Sequence, residues 1–142
     1  MRAKKITVKE VEYTAFLLAQ ELMTYNEPIP DFGTRFPNIL ESCINTPFAH
    51  YKKDLYRGLV EKASTLFYLC IKNHPFQNGN KRIAVMILLY FLYKNSKWLK
   101  MDQMDLYNFA KRIAKSTPPS RGKITNHIRA MIKKYLIDFD GI

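Results

Sequence analysis

The stretch His74–Tyr93, HPFQNGNKRIAVMILLYFLY, decides the fold. From Ile83 to Tyr93 it is apolar on every side, and a helix of that composition in a soluble chain is packed all round by other elements. The run is too short to span a bilayer, and a charged loop leads straight into it. The expectation is an all-α, compact helical bundle with a polar loop opening into a central buried helix.

Working outward from that hub, Asp54 to Asn73 carries Leu55, Leu59, Ala63, Leu66, Phe67, Cys70 and Ile71 on one helical face. Upstream, Thr7 and Glu10 match a capping box, and Val8, Val11, Ala15, Leu18, Leu22 and Tyr25 recur at helical spacing, so a first helix is predicted over Thr7–Tyr25. The segment NEPIPDFGTRFPN, with three prolines and a glycine, reads as a loop. A short helix over Asn38–Asn45 follows, stopped by Pro47. Asn95 and Ser96 end the central helix, Trp98 and Leu99 anchor a turn, and a further helix opens at Asp102 or Gln103 and reaches Ala114. STPPSRG, Ser116 to Gly122, breaks the chain before a last amphipathic helix with Ile124, Ile128, Met131, Ile132, Tyr135 and Leu136 inward and Lys123, Arg129, Lys133 and Lys134 outward. No strand-like alternation of useful length and no internal repeat appears.

A length of 142 residues with 47% hydrophobic content suits one core, so residues 1–142 read as a single domain. The 23 Lys and Arg exceed the 12 Asp and Glu, a net charge of +11 that favours anionic partners without naming one. Cys43 and Cys70 have no metal-ligand spacing, and Cys70 falls in an apolar helical pattern, as a buried thiol does. MRAKKITVKE has no apolar run behind its basic residues, so a secretory signal is not expected. Together these features predict a soluble cytoplasmic protein with no membrane partner.

The loop itself reads as a chemical device. Gly79 allows a tight turn, and Asn80 to Arg82 begin the helix, whose first unpaired N–H groups point into the space before it. Lys81 and Arg82 oppose the positive helix end unless an anion lies between them. Arg82 suits bidentate phosphate contact, Lys81 a mobile point charge, and the pair fits a polyphosphate better than a carboxylate. His74 can return across the turn as general base toward an incoming hydroxyl. Taken singly, each has a plainer role: a hydrogen-bonded histidine, a core plug at Phe76, a helix cap at Asn80, solvated charges at Lys81 and Arg82. The full spacing points to phosphoryl or nucleotidyl transfer to an alcohol.

The pattern His-Pro-Phe-x-x-Gly-Asn-Lys-Arg at His74–Arg82 resembles the signature of the Fic/Doc family, in particular its death-on-curing branch. GTRFPNILESCINTP, Gly33 to Pro47, is similar to that family's Gly-x-Arg-x-Pro…Leu-Glu-Ser segment. The resemblance implies that His74 deprotonates a target Ser or Thr, with Lys81 and Arg82 completing the catalytic set. It also implies that Phe76 fixes the loop and that Asn78, Gly79, Asn80, Lys81 and Arg82 hold the nucleotide, ATP or another nucleoside triphosphate.

Adenylylating members carry glycine where Lys81 stands, whereas the branch with lysine turns the γ-phosphate toward the acceptor, which implies a kinase-type transfer. The family position that holds Mg²⁺ is usually Asp or Glu, and here it is Asn78, so a weakened metal site is implied. Elongation factor Tu is the target associated with that branch. Glu27–Thr46 resembles the flap that aligns a target peptide by strand addition. No glutamate has Ser or Thr four residues before it, so the family's inhibitory Ser/Thr-x-x-x-Glu helix is not found, and restraint is expected from an antitoxin chain. The alternatives are adenylylation on the same fold, or a catalytically silent nucleotide-binding or nucleic-acid-binding relative. A nucleic-acid module would explain the charge but leave His74, Gly79 and Asn80 without a role.

Overall fold

The structure, a computed structural model, describes residues 2–22 and 29–139. The first helix opens where its capping box predicts: the Glu10 N–H donates to Thr7 Oγ1 (3.2 Å) and the Thr7 N–H to Glu10 Oε1 (2.9 Å). It runs as α1 (Val8–Glu10), a π-helical stretch (Val11–Phe16) and α2 (Leu17–Leu22). The predicted extension to Tyr25 lies outside the described residues, as does the start of the proline-rich loop. The wide π turn takes up extra sequence, so the buried stripe after Ala15 falls on Phe16 and Ala19. Leu18 and Leu22, expected inside, are exposed.

A 3₁₀ turn (Phe32–Thr34) leads to α3 (Pro37–Asn45), with Pro37 in the first turn where its missing N–H costs nothing. A second 3₁₀ turn (Thr46–Phe48) around Pro47 stops α3 as expected. The next helix departs from expectation. His50–Tyr51 (β1) pairs antiparallel with Lys53–Asp54 (β2) about Lys52 at φ 65°, and α4 (Gly58–Lys72) begins only once Gly58, at φ 80°, has turned the chain. Leu55, assigned to the helix by its spacing from Leu59, is instead 59% exposed, its N–H donating to the Ala49 carbonyl.

The central helix, α5 (Asn80–Lys94), packs against α4, the π-helical stretch, α6 (Gln103–Lys115) and β3 (Lys97–Leu99). Ile83 to Leu88, Phe91 and Leu92 are buried, whereas Tyr93 lies open on one flank. Glu10 ties the first helix to the far end of α5: it accepts from the Tyr90 hydroxyl (2.9 Å) and from Lys94 Nζ (2.7 Å). Burial pushes the Glu10 carboxyl up, but these partners and the Thr7 N–H hold it below its ordinary value.

Asp102 caps α6 through the Met104 N–H, and α7 (Arg121–Tyr135) lies on α4 with Ile124, Ile128, Met131 and Ile132 buried. Helix α7 ends one residue earlier than predicted. Leu136–Asp138 (β4) pairs antiparallel with β3, placing Leu136 opposite Leu99 and Ile137 opposite Trp98. The sequence pattern missed both strand pairs, which are too short to show alternation. The fold class is all-α, as expected, and among the described residues no helix is long and apolar enough to cross a membrane.

Candidate active site

The loop between α4 and α5 takes its shape from three ties. The first is Phe76, 3% exposed, whose ring packs on Phe16 (5.6 Å between centroids) and Phe32 (6.0 Å), with Phe16 edge-on to Phe32 at 5.1 Å. Each tilted pair adds to the burial of its rings, so the cluster anchors the loop to helix one and to the 3₁₀ turn before α3.

The second tie is Asn80. Its Oδ1 accepts from the Phe76 N–H (2.9 Å) and its Nδ2 donates to the Phe76 carbonyl (2.8 Å), closing the loop on itself. This side chain is engaged by the loop backbone, so what Asn80 offers an incoming anion is its own N–H. We predict that Asn80→Ala, which leaves both Phe76 backbone groups unpaired, lowers unfolding stability by about 1–3 kcal/mol in urea titration.

The third tie is Gly79, the residue before α5, at φ 74°. A Cβ there would stand 2.8 Å from Ile29 Cγ1 and 3.4 Å from Arg82 Nη2, so neither the backbone conformation nor the space admits a side chain. The Ile83 N–H makes the bond to the Gly79 carbonyl (2.9 Å), and no side chain caps the helix start. The N–H groups of Asn80, Lys81 and Arg82 therefore precede the first intrahelical bond and are oriented for an acceptor in front of the helix.

The charged residues split. Arg82 is buried with its Nη2 close to Gly79, which removes the reading of it as a solvated charge. Lys81 is half-buried. His74 is exposed and held at φ 50°, in the left-handed region that a residue with a side chain enters at a cost. Pro75, next in sequence, accepts from the Phe36 N–H (2.9 Å), so the segment leading into α3 is fastened beside the histidine.

For Mg²⁺ the loop offers a sparse donor set. His74–Arg82 contains no carboxylate, Asn78 supplies at most a neutral amide oxygen, and among the described residues no group of three or more His, Cys, Asp or Glu gathers to hold a metal. Hard divalent cations bound with phosphates ordinarily take one or two carboxylates from the protein.

The cysteines stand apart from this chemistry. Cys43 on α3 and Cys70 on α4 are both buried and free, and Cys43 Sγ donates to the Leu69 carbonyl (3.5 Å). The Cys43 thiol and complete burial push Cys70 far up, as befits an inert thiol. A cavity of about 610 Å³ opens at the other end of α4 and α5, beside Phe48, Leu59 and Lys62. Its charges are largely paired with one another, Lys62 with Asp54 (3.4 Å) and Lys97 with Asp138, and no loop residue lines it.

A family model described as the Fic/DOC family matches residues 10–92, more than half of the chain, from the first helix through the loop and most of α5. The chain belongs to the Fic/DOC family. No curated protein and no solved structure matches it. Family membership carries a Fic-type, nucleotide-using transferase function at the level of the family. The matched span of this Fic/DOC protein contains all five of the loop residues Asn78 to Arg82 together with His74, while α6 and α7 lie beyond it.

Sequence reasoning missed three residues that shape the Fic/DOC loop, Phe16, Ile29 and Phe32, and a fourth, Arg35, that rests on one of them. Phe16 was hidden by the change of helical phase, and Ile29 shows itself only through its contact with Gly79. Arg35 stands in the quoted Gly33–Pro47 segment, yet nothing local reveals that its guanidinium lies over the Phe32 ring, 4.2 Å from the centroid.

Proposed function

We propose that this Fic/DOC protein is a transferase of the death-on-curing kind, moving the γ-phosphoryl group of a nucleoside triphosphate to a Ser or Thr hydroxyl of a target protein. The observation that carries the reading is the loop closure: Asn80 and Gly79 fix an uncapped helix start, with Lys81 and Arg82 on its first turn, a few residues from an exposed His74. In this reading the triphosphate lies against the N–H groups of the first turn, with Arg82 and Lys81 taking phosphate oxygens. The His74 imidazole accepts the proton of the target hydroxyl as its oxygen bonds to the γ-phosphorus. The bond from that phosphorus to the bridging oxygen breaks, the nucleoside diphosphate departs, and the proton remains on the imidazole until solvent takes it. Positioning and charge neutralisation supply most of the rate.

Lys81 favours the γ-phosphate over the α-phosphate, because it fills space that a glycine would leave and adds charge at the loop. Mass spectrometry of the modified Ser or Thr after incubation with ATP separates the two: a phosphoryl adduct supports this reading, and an adenylyl adduct overturns it in favour of adenylylation. Asn78 favours a second reading, a relative that binds nucleotide without transferring. We expect Asn78→Asp to restore the charge at the ion and to raise Mg²⁺-dependent transfer several-fold, measured as initial rate against Mg²⁺ concentration. An unchanged or lower rate would show that the asparagine belongs to a different arrangement.

The natural target in this reading is a cytoplasmic protein such as elongation factor Tu, and the restraint is an antitoxin chain that folds onto the site. A duplex nucleic-acid partner is disfavoured by α7, where Arg129 is held by Glu61 (3.1 Å) and by Asn126, leaving a sparser outer charge than its sequence suggests.

A further inference from the structure

We propose that Arg35 is a phosphate-binding residue of the same site, donating from its Nε/Nη2 edge to oxygens of the bound nucleoside triphosphate; this rests on the nucleotide reading above. Four observations converge on it. The guanidinium is held in place: its plane lies over the Phe32 ring at 4.2 Å and its Nη1 donates to the Phe32 carbonyl at 3.3 Å. Phe32 in turn is packed against Phe16 and Phe76, so the arginine rests on the ring layer that seats the loop. A guanidinium fixed in this way loses little freedom when it binds.

The second observation is an orphan. Arg35 Nε is buried and has no hydrogen-bond acceptor among the described residues. A buried cationic donor left unpaired is costly, and native proteins almost always satisfy such groups. With Nη1 occupied by Phe32, the edge formed by Nε and Nη2 is the one that remains, and it is the edge that matches two oxygens of a phosphate.

Third, the segment that carries Arg35 is fastened to the loop that carries His74. The residue after it, Phe36, donates its N–H to the carbonyl of Pro75, the residue after His74. Fourth, the site calls for another cation. A triphosphate brings several negative charges, and the loop offers no carboxylate with which to recruit a divalent ion to offset them. Arg35, held on the Phe32 ring, takes over part of that neutralisation together with Lys81 and Arg82.

The test is equilibrium titration of the full chain with AMP, ADP and ATP, each in EDTA and in Mg²⁺. Wild type is expected to bind ATP even in EDTA. Arg35→Ala is expected to weaken ATP at least tenfold while changing AMP less than twofold, and Arg35→Lys, which keeps the charge but loses the fork, to recover only part of the loss. In case Arg35→Ala perturbs the turn, the wild type supplies a second readout: the arginine Nε–H resonance that disappears in Arg35→Lys should shift on adding ATP. Equal ATP affinity in wild type and Arg35→Ala, or an unmoved resonance under saturating ATP, overturns the assignment alone. A wild type that binds no ATP overturns the nucleotide reading and this assignment with it. Unchanged nucleotide affinity with a raised KM for the protein target overturns it in favour of a target contact.

Discussion

His74→Ala is expected to reduce transfer by about 10²–10⁴-fold while leaving ATP affinity within about twofold. The asymmetry follows from the position of the residue. His74 is exposed, so deleting its ring opens no cavity, and alanine meets the same φ of 50° that histidine already bears. The anion-facing parts of the loop are held by Asn80, Gly79 and Phe76, none of which depends on the imidazole. Initial rates and ATP titration on one preparation of the variant check both halves. A variant that keeps its rate would remove His74 as the base, and one that loses ATP binding would make it a ligand instead.

Phe76→Ala is expected to have the largest effect on stability, about 3–5 kcal/mol, because a fully enclosed ring is removed from a cluster that cannot readily collapse. A loss of that size lowers the melting temperature on the order of 10 °C or more for a chain of this length, measured by calorimetry. Its neighbour Gln77, exposed on the same loop, serves as the contrast: Gln77→Ala should stay within about 0.5 kcal/mol of wild type. The ring cluster also joins three segments, so Phe76→Ala should loosen ATP binding at temperatures where the rest of the fold survives. Phe76→Leu, which refills much of the volume, should recover most of both.

The parts of the fold legible in the sequence are those set by local chemistry. The unbroken apolar run made α5 the hub, the Thr7–Glu10 pair fixed the first helix start, and Asp102 opened α6. What escaped was set by contacts between distant segments. The π turn in helix one exists where Phe16 meets Phe32 and Phe76, and a helical repeat read residue by residue continues instead through Leu18 and Leu22. Helix α4 was extended back to Leu55 because its spacing from Leu59 is helical, whereas the β1–β2 pair and Gly58 reserve that stretch for turns. The pairing of β3 with β4 joins residues separated by the whole of α6 and α7, so Leu136 looked like one more helical position.

The site divides in the same way. The residue types from His74 to Arg82 carry the proposed reading of an anion-binding loop, because glycine, cations and a helix start have few other joint uses. The sequence did not say that the Asn80 amide is engaged by Phe76, that Arg82 is buried close to Gly79, or that Arg35 lies on the Phe32 ring with an unpaired Nε. Each of these joins residues only three or four apart, but it depends on the path of the backbone and not on residue type. They give the loop an order in which Asn80, Phe76 and Gly79 shape it, and in the proposed reading Lys81, Arg82 and Arg35 neutralise the phosphates.

The central claim is that the cationic helix start holds a nucleotide for a reaction that His74 completes. It is tested most directly by incubating the purified protein and its His74→Ala variant with cytosolic extract, Mg²⁺ and ATP labelled at the γ-phosphate. Label on a protein with the wild type and none with the variant is the predicted result; equal label from both, or none from either when ATP labelled at the α-phosphate is also tried, would contradict it.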